Sequence, residues 1–164
     1  MKRVIIESPL SAPTRDAIEA NKVYARRCVS DSLRRGEAPF ASHLLYDQQG
    51  ILDDLLPDER ETGILAGFAW GEAATLVAFY IDFGLSAGMY RGFERAMLTD
   101  ADIVVRSIAT GEELYVPIEV ELAGTVMAEE AHKRNLHNLR QAAIAVCGDN
   151  ETAERLALHR RERE

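Results

Sequence analysis

Short apolar, β-branched runs alternate along the chain with longer segments in which apolar residues recur at helical spacing. The first run, Lys2–Glu7, predicts a buried strand. Thr14 or Asp16 can cap the helix that follows, and Gly36 can end it in the left-handed conformation. The next run, Ala38–Leu45, predicts a second strand, so the first 45 residues form a β-α-β unit.

The same alternation continues to residue 108. A polar connection over Asp47–Asp54 precedes a predicted helix from Pro57 to about Ala73, with proline at its first position. Thr75–Ile81 is the most continuous apolar run, which is typical of a strand covered on both faces. A helix over Met89–Leu98 and a strand over Ile103–Ile108 are predicted next.

The pattern changes after residue 110. Glu112–Glu121 predicts an edge strand, because Pro117 is unfavourable in a central one. Gly124–Cys147 predicts a long amphipathic helix and Glu151–Glu164 a charged terminal helix.

Together these elements predict an α/β fold. We expect an open parallel sheet of four to five strands with helices on both faces, plus a C-terminal helical extension. Residues 1–110 would form the α/β domain, and residues 111–164 an edge strand and a helical extension that covers the sheet edge or builds an oligomer. A dimer or tetramer is expected, because helices such as Gly124–Cys147 commonly bury an apolar stripe against a partner.

Composition narrows the possible partners. The chain has 164 residues, 47% apolar and 28% charged, which is typical of one globular domain. A net charge of −8 disfavours nucleic acid, and no apolar run is long enough for a membrane helix, so we expect a cytoplasmic protein. Only three of the 19 basic residues are lysines, and this arginine excess weakly favours an anionic ligand. Cys28 and Cys147 are expected to be buried thiols.

Candidate chemistry lies where the predicted strands end. In an open α/β sheet, ligands bind outside the carboxyl ends of the strands, where strand order reverses. This rule selects Glu7-Ser8-Pro9, Ser42-His43, and Asp82 with the turn Gly84–Gly88. His43 fits either a structural hydrogen bond or a catalytic role, and Asp82 either a turn cap or a carboxylate that holds a ribose hydroxyl.

The turn over Gly84–Gly88 is the most informative of these segments. Its small residues let backbone N–H groups approach a ligand, and the helix that follows attracts an anion at its N-terminus. The spacing matches neither the dinucleotide fingerprint nor the Walker A loop, so ordinary dehydrogenase or kinase chemistry is disfavoured. Ser86 lacks the G-x-S-x-G frame of a serine hydrolase, and the spacing of His132 and His137 predicts no metal site.

Several segments resemble a known family. The chain resembles small phage proteins that are similar to nucleoside 2-deoxyribosyltransferases. The resemblance is carried by four segments: the ESPL loop, the N-x-x-Y-A-R helix with Tyr24, RGEAPFASHLLY and YIDFGLSAGM. The resemblance covers about residues 2–108. It implies a flavodoxin-like (Rossmann-like) parallel sheet, usually oligomeric, with a nucleoside or nucleotide pocket over the first and third strand ends. No cofactor is expected, and a phage-encoded protein would lie in the host cytoplasm. The candidate ligand-binding residues are Ser8, Pro9, Tyr24, His43, Asp82, Gly84, Ser86, Gly88 and Met89.

One position departs from the transferases, in which a glutamate on the helix after the turn attacks the anomeric carbon. Counted from Gly88, that glutamate falls at Gly92, which has no side chain. Glu94 lies on another face of the helix, because two residues turn an α-helix by roughly 200°.

Three functions follow as hypotheses. The first is a protein that binds a nucleotide-like ligand without cleaving it, which in a phage setting would sequester a nucleotide immune signal. The second is an N-glycosidase or deoxyribosyltransferase that uses displaced carboxylates, with Asp82, Glu7 and Glu94 as candidate catalytic residues. The third, suggested by the long helical tail, is a structural or partner-binding protein with a vestigial pocket.

Overall fold

The chain folds around one five-stranded sheet, as seen in a computed structural model that describes residues 1–120, 122–123 and 126–147. The strands are β1 (Arg3–Glu7), β2 (Ala38–Phe40), β3 (Leu76–Tyr80), β4 (Asp102–Arg106), β5 (Glu113–Tyr115), β6 (Leu122–Ala123) and β7 (Val126–Met127). The helices are α1 (Arg15–Arg34), α2 (Ser42–Tyr46), α3 (Pro57–Gly71), α4 (Ala87–Ala96) and α5 (Glu129–Cys147).

The sheet has the order β2-β1-β3-β4-β5, with four parallel strands and an antiparallel edge strand β5. The predicted α/β class and the mostly parallel sheet are therefore confirmed. The chain moves outward from β1 to β2 and then returns past β1 to β3, so strand order reverses between β1 and β3. A crevice that suits a ligand forms where the order reverses.

The first helix forms as its sequence predicts. Thr14 Oγ1 accepts a hydrogen bond from the backbone N–H of Ala17 at 3.3 Å, and Gly36 follows the helix with a φ of 76°. A side chain that accepts at the N-cap and a left-handed glycine after the last turn satisfy backbone groups that a helix leaves unpaired.

Both faces of the sheet are covered. All five residues of β3 are at most 4% exposed, as the continuous apolar run predicts. On one face Tyr24 and Cys28 of α1 pack against the sheet, and on the other face Phe93 of α4 and Leu139 of α5 do so. This two-sided core holds the carboxyl ends of β1 and β3 in fixed positions.

The strand predicted over Ala38–Leu45 is wrong in its second half. The edge strand β2 pairs with β1 over only three residues, and α2 follows at once. Helix α2 packs so closely on α3 that a Cβ atom at Gly67 would lie 2.8 Å from Ser42 Oγ. Trp70 Nε1 of α3 also donates a hydrogen bond to Tyr46 Oη at 2.9 Å. Packing between these helices replaces sheet pairing here.

The helix predicted over Gly124–Cys147 is also wrong at its start. It begins at Glu129, after an antiparallel hairpin in which Leu122 pairs with Met127. Glu129 and Glu130 occupy the first helical turn, where the helix dipole favours acidic side chains. The predicted edge strand is confirmed as β5. It is shorter than predicted, since it ends before Pro117. The remaining predicted elements differ from the observed ones by at most two residues at either end.

The C-terminal helix α5 covers the sheet of its own chain. Leu139, Ala143 and Val146 are at most 1% exposed and pack in the core beside β4. The apolar stripe that was expected to meet a partner is thus buried within the chain, and self-association stays a prediction. The helix predicted over Glu151–Glu164 lies outside the described residues. Among the described helices, none combines the length and apolarity that a membrane span requires.

Candidate functional site

The site lies in a cleft over the carboxyl end of β1, bounded by α2, α3 and the start of α4. Its volume is about 600 Å³, including the open mouth. Seven of the candidate residues selected from the sequence line it: Glu7, Ser8, Ser42, His43, Ser86, Gly88 and Met89. We refer to this space as the β1 cleft. Its position at the reversal of strand order agrees with the general rule for ligand sites in α/β sheets.

Glu7 is the last residue of β1 and forms part of the cleft wall. Burial raises the pKa of its carboxyl group to about 8, so this group is protonated at neutral pH. Within residues 1–120, 122–123 and 126–147, no hydrogen bond or ion pair reaches it. Burying an unpaired carboxyl group costs free energy, so its presence in a cleft marks a candidate functional group.

The absence of a side chain on α4 makes room for this carboxyl group. A Cβ atom at Gly92 would lie 2.6 Å from Glu7 Oε1 and 2.7 Å from Glu7 Cδ. These distances are too short for any side chain at position 92 to coexist with Glu7 as it stands. The carboxyl group from β1 therefore occupies the space in which a side chain at position 92 would lie.

Ser8 and His43 form a polar pair beside Glu7. Ser8 Oγ shares a 3.0 Å hydrogen bond with His43 Nε2, and Ser8 is 6% exposed. Burial lowers the pKa of His43 to about 4, so its ring is neutral at pH 7. The neutral ring can both donate and accept a hydrogen bond. Three polar groups without net charge thus lie together at neutral pH.

An ion pair lies on the α3 side of the cleft. Arg60 of α3 pairs with Asp54, and both line the β1 cleft. Burial raises the pKa of Asp54 even though the Arg60 charge opposes this shift. Sequence reasoning missed this pair. The predicted helix start at Pro57 could have revealed it. A helix that connects two parallel strands runs antiparallel to them, so its first residues lie at the carboxyl edge of the sheet.

The turn before α4 supplies the remaining side of the cleft. Gly84 adopts a φ of 81° and directs the chain into α4, without lining the cleft. Ser86 caps the helix, since its Oγ accepts a hydrogen bond from the backbone N–H of Met89 at 3.3 Å. A Cβ atom at Gly88 would lie 3.8 Å from Arg60 Nη2, so the first turn of α4 is close to that guanidinium group.

Asp82 has a different environment from Glu7. Its Oδ1 accepts hydrogen bonds from Ser107 Oγ at 2.7 Å and the backbone N–H of Ala109 at 2.9 Å. Its Oδ2 accepts from the backbone N–H of Ile108 at 3.1 Å and from the Tyr24 hydroxyl group. The carboxylate thus ties the loop after β4 to α1.

These contacts direct Asp82 and Tyr24 away from the cleft. Burial alone would raise the pKa of Asp82, but the hydrogen bonds from Tyr24 and Ser107 lower it below its ordinary value. The Tyr24 ring stacks on Phe83 with 4.4 Å between centroids. Neither Asp82 nor Tyr24 lines the β1 cleft. Both hold the sheet edge together, which agrees with the turn-cap interpretation of Asp82.

The other candidates also lie outside the cleft. Pro9 is buried beside it, and Glu94 faces α5, where its Oε1 is 3.9 Å from His132 Nε2. The structure therefore brings one of the three candidate catalytic carboxyl groups, Glu7, to the cleft. In the described part of the chain, no cluster of three His, Cys, Asp or Glu side chains could hold a metal ion. Cys28 is buried as expected, whereas Cys147 is only partly buried.

Comparison with known proteins identifies the family of this chain. The family described as Domain of unknown function (DUF7768) matches residues 2–106, which is more than half of the chain. The chain belongs to this family. The match covers the four parallel strands and the β1 cleft, but not β5 or α5. No curated protein and no solved structure matches the chain.

Proposed function

We propose that this member of the DUF7768 family binds a nucleotide-like small molecule in the β1 cleft, at the carboxyl edge of a flavodoxin-like sheet. The observation that carries the proposal is the protonated, unpaired Glu7 carboxyl group in the cleft wall. A partly buried carboxyl group without a partner has lost part of its hydration, and a ligand that hydrogen-bonds to it recovers that cost.

The chemistry of the cleft changes from its inner wall to its α3 side. Glu7, Ser8 and His43 offer uncharged donors and acceptors, which suit sugar hydroxyl groups or the edge of a base. Arg60, whose charge is shared with Asp54, and the N-terminal turn of α4 offer N–H donors on the other side, which suit a phosphate. A nucleotide combines both kinds of group in one molecule. This complementarity supports a nucleotide-like ligand over a purely apolar one.

Thermal unfolding with a panel of nucleosides, nucleoside monophosphates, cyclic nucleotides and ADP-ribose at millimolar concentration tests the proposal. We expect at least one of them to raise the Tm, by mass action on the folded state. Glu7→Gln should keep this shift, because an amide resembles the protonated acid in shape and donor capacity, whereas Glu7→Leu should lose it. Glu94→Gln is the matched control, since Glu94 lies outside the cleft.

The proposal fails if no member of the panel shifts the Tm, or if Glu7→Leu and Glu94→Gln respond alike. Mass spectrometry of the denatured protein adds a second measurement. Recovery of an intact nucleotide in near-stoichiometric amount would identify the ligand and indicate a protein that acts by sequestering it.

A second candidate function is cleavage of the N-glycosidic bond of the bound ligand. It is favoured by the carboxyl group of Glu7, which lies against Gly92, the position where the resemblance to the transferases implies a nucleophile. In hydrolysis, the bond between C1′ and the base nitrogen breaks, and water adds its oxygen to C1′. The protonated Glu7 can give its proton to the leaving base and recover one from the attacking water.

Base release, followed by chromatography of nucleotide incubations, tests the second candidate. Glu7→Gln separates it from the first, because the amide keeps the hydrogen bonds of the protonated acid but cannot transfer a proton. We expect a loss of about 100-fold or more in turnover with ligand binding retained. Full activity in Glu7→Gln, or intact ligand after prolonged incubation with wild-type protein, contradicts cleavage by Glu7.

A further inference from the structure

Glu7 and Gly92 come from different elements but share one space. Glu7 ends β1, whereas Gly92 lies in the middle of α4 and is buried. A Cβ atom at position 92 would be 2.6 Å and 3.0 Å from the two carboxyl oxygens of Glu7. Real Cβ atoms essentially never come within 3.0 Å of a heavy atom that is not bonded nearby. The carboxyl group therefore rests against bare helix backbone.

The conformation of α4 does not require a glycine at position 92. Gly92 has an ordinary negative φ, and glycine in a helix interior costs about 1 kcal/mol relative to alanine. Gly71, near the end of α3, has nothing within 4 Å of the place where a Cβ atom would be. The contact with Glu7 is the feature that distinguishes Gly92 from this second helical glycine.

We infer that Gly92 is a positioning residue for Glu7, whose carboxyl group can lie in the inner wall of the β1 cleft only because α4 has no side chain at this point. The inference rests on the proposed function and deepens it. Any side chain at position 92 moves the carboxyl group, because that group is the flexible end of a long side chain while the backbone of α4 is held by its core. The spaces open to this movement are the β1 cleft and a small second cavity that Glu7, Gly92 and Arg95 line.

The displaced carboxyl group would enter a different environment. The titratable and charged groups around Glu7 are His43 on α2, Asp54 before α3, Arg60 on α3, and Arg95 on α4. Arg95 lines the small second cavity behind the carboxyl group. In the cleft mouth the carboxyl group meets water and the Arg60 charge, and both favour its ionised form. A carboxylate there would also occupy the space of a ligand.

Carbon-13 NMR titration of the glutamate carboxyl groups tests the inference without any ligand, with Glu7 assigned by the signal that Glu7→Gln removes. In the wild type, Glu7 should titrate near pH 8, and in Gly92→Ala it should move toward its ordinary value of 4.5. Gly71→Ala is the matched control and should leave the titration unchanged. Glu7→Asp in the Gly92→Ala background should raise the titration again, because the shorter side chain withdraws from the new Cβ atom.

The Tm shift with the nucleotide panel separates this inference from the proposed function. We expect Gly92→Ala to weaken binding by about tenfold or more at pH 7. A lowered Glu7 titration in Gly92→Ala, in a protein whose wild type binds no member of the panel, supports the positioning role and contradicts the proposed function. An unchanged titration in a folded Gly92→Ala protein overturns the inference, whatever the ligand result.

A variant that does not fold is also informative. If Gly92→Ala fails to fold, the double variant Glu7→Ala/Gly92→Ala removes the colliding carboxyl group. Recovery of the fold in the double variant supports the inference, because the collision with Glu7 is then the cause of the failure. Continued failure of the double variant overturns it.

Discussion

Two carboxyl groups follow neighbouring parallel strands at the same edge of the sheet, yet their surroundings are opposite. Asp82, after β3, accepts four hydrogen bonds, and these lower its pKa despite burial. Glu7, at the end of β1, has no hydrogen bond among the described residues, and burial raises its pKa to about 8. The first group stabilises the fold in its ionised form, whereas the second is held protonated in the wall of a cleft.

This difference in hydrogen bonding indicates that Glu7, and not Asp82, is available to bind a ligand. A saturated carboxylate has no free acceptor sites, and breaking its contacts releases the loop after β4. An unpaired carboxyl group reduces stability unless something binds to it, which is the usual cost of a functional site. Stability measurements should therefore move in opposite directions at Asp82 and Glu7.

Asp82→Asn should have the largest effect. The amide cannot accept hydrogen bonds from all four donors, and its NH₂ group would face donors, so the free energy of unfolding should fall by about 3 kcal/mol. Urea unfolding at pH 7 measures this change. Asp100→Asn is the control, since Asp100 is exposed, and its curve should overlay that of the wild type. Equal stability of the two variants would show that the Asp82 contacts contribute little.

Glu7→Gln should change stability in the opposite direction. In the folded protein Glu7 keeps its proton up to about pH 8, whereas in the unfolded chain it ionises above its ordinary value of 4.5. The native protein therefore loses stability as pH rises through this window, and the amide does not. We expect Glu7→Gln to be more stable than the wild type by about 2 kcal/mol at pH 7.

The pH profile is the sharper measurement for Glu7. The difference between wild type and Glu7→Gln should vanish below pH 4.5 and grow toward pH 8. Two unfolding profiles that run parallel from pH 4.5 to pH 8 would mean that Glu7 is ionised in the native protein.

His43→Gln extends the comparison to the neighbouring group. Folded His43 stays neutral down to about pH 4, whereas the unfolded chain takes up a proton below about pH 6.5. The wild type should therefore lose about 1–2 kcal/mol more stability than the variant between pH 6.5 and pH 4. His137→Gln, on the exposed side of α5, is the control. If His43→Gln and the wild type lose the same stability between pH 6.5 and pH 4, His43 takes up a proton in the native cleft.

Ser8→Ala should have the smallest effect. It removes the hydrogen bond to His43 Nε2, which should cost about 1 kcal/mol of unfolding free energy at pH 7. Ser11→Ala changes an exposed serine at the cleft and serves as the comparison. If both substitutions cost the same, the hydrogen bond between Ser8 and His43 makes no net contribution to stability.

Local signals predicted the elements that depend on local physics. The cap at Thr14, the left-handed Gly36, the proline that opens α3 and the apolar run of β3 all appear as predicted. The errors lie where packing overrides a local pattern. Ser42 begins a helix rather than continuing β2, because α2 packs on α3, and α5 begins at Glu129 because a hairpin precedes it.

The sequence by itself determined the alternation of strands and helices, and with it the sheet edge at which the candidate residues gather. Hydrophobic periodicity and strand ends carry that information, since both act over a few residues. Only the tertiary structure decided that the Asp82 carboxylate stabilises the fold and that the Glu7 carboxyl group faces the cleft. The partners of Asp82 come from α1 and from the loop after β4, and the space for Glu7 comes from a glycine 85 positions away on α4. Contacts between residues so distant in sequence exist only once the sheet has brought them together.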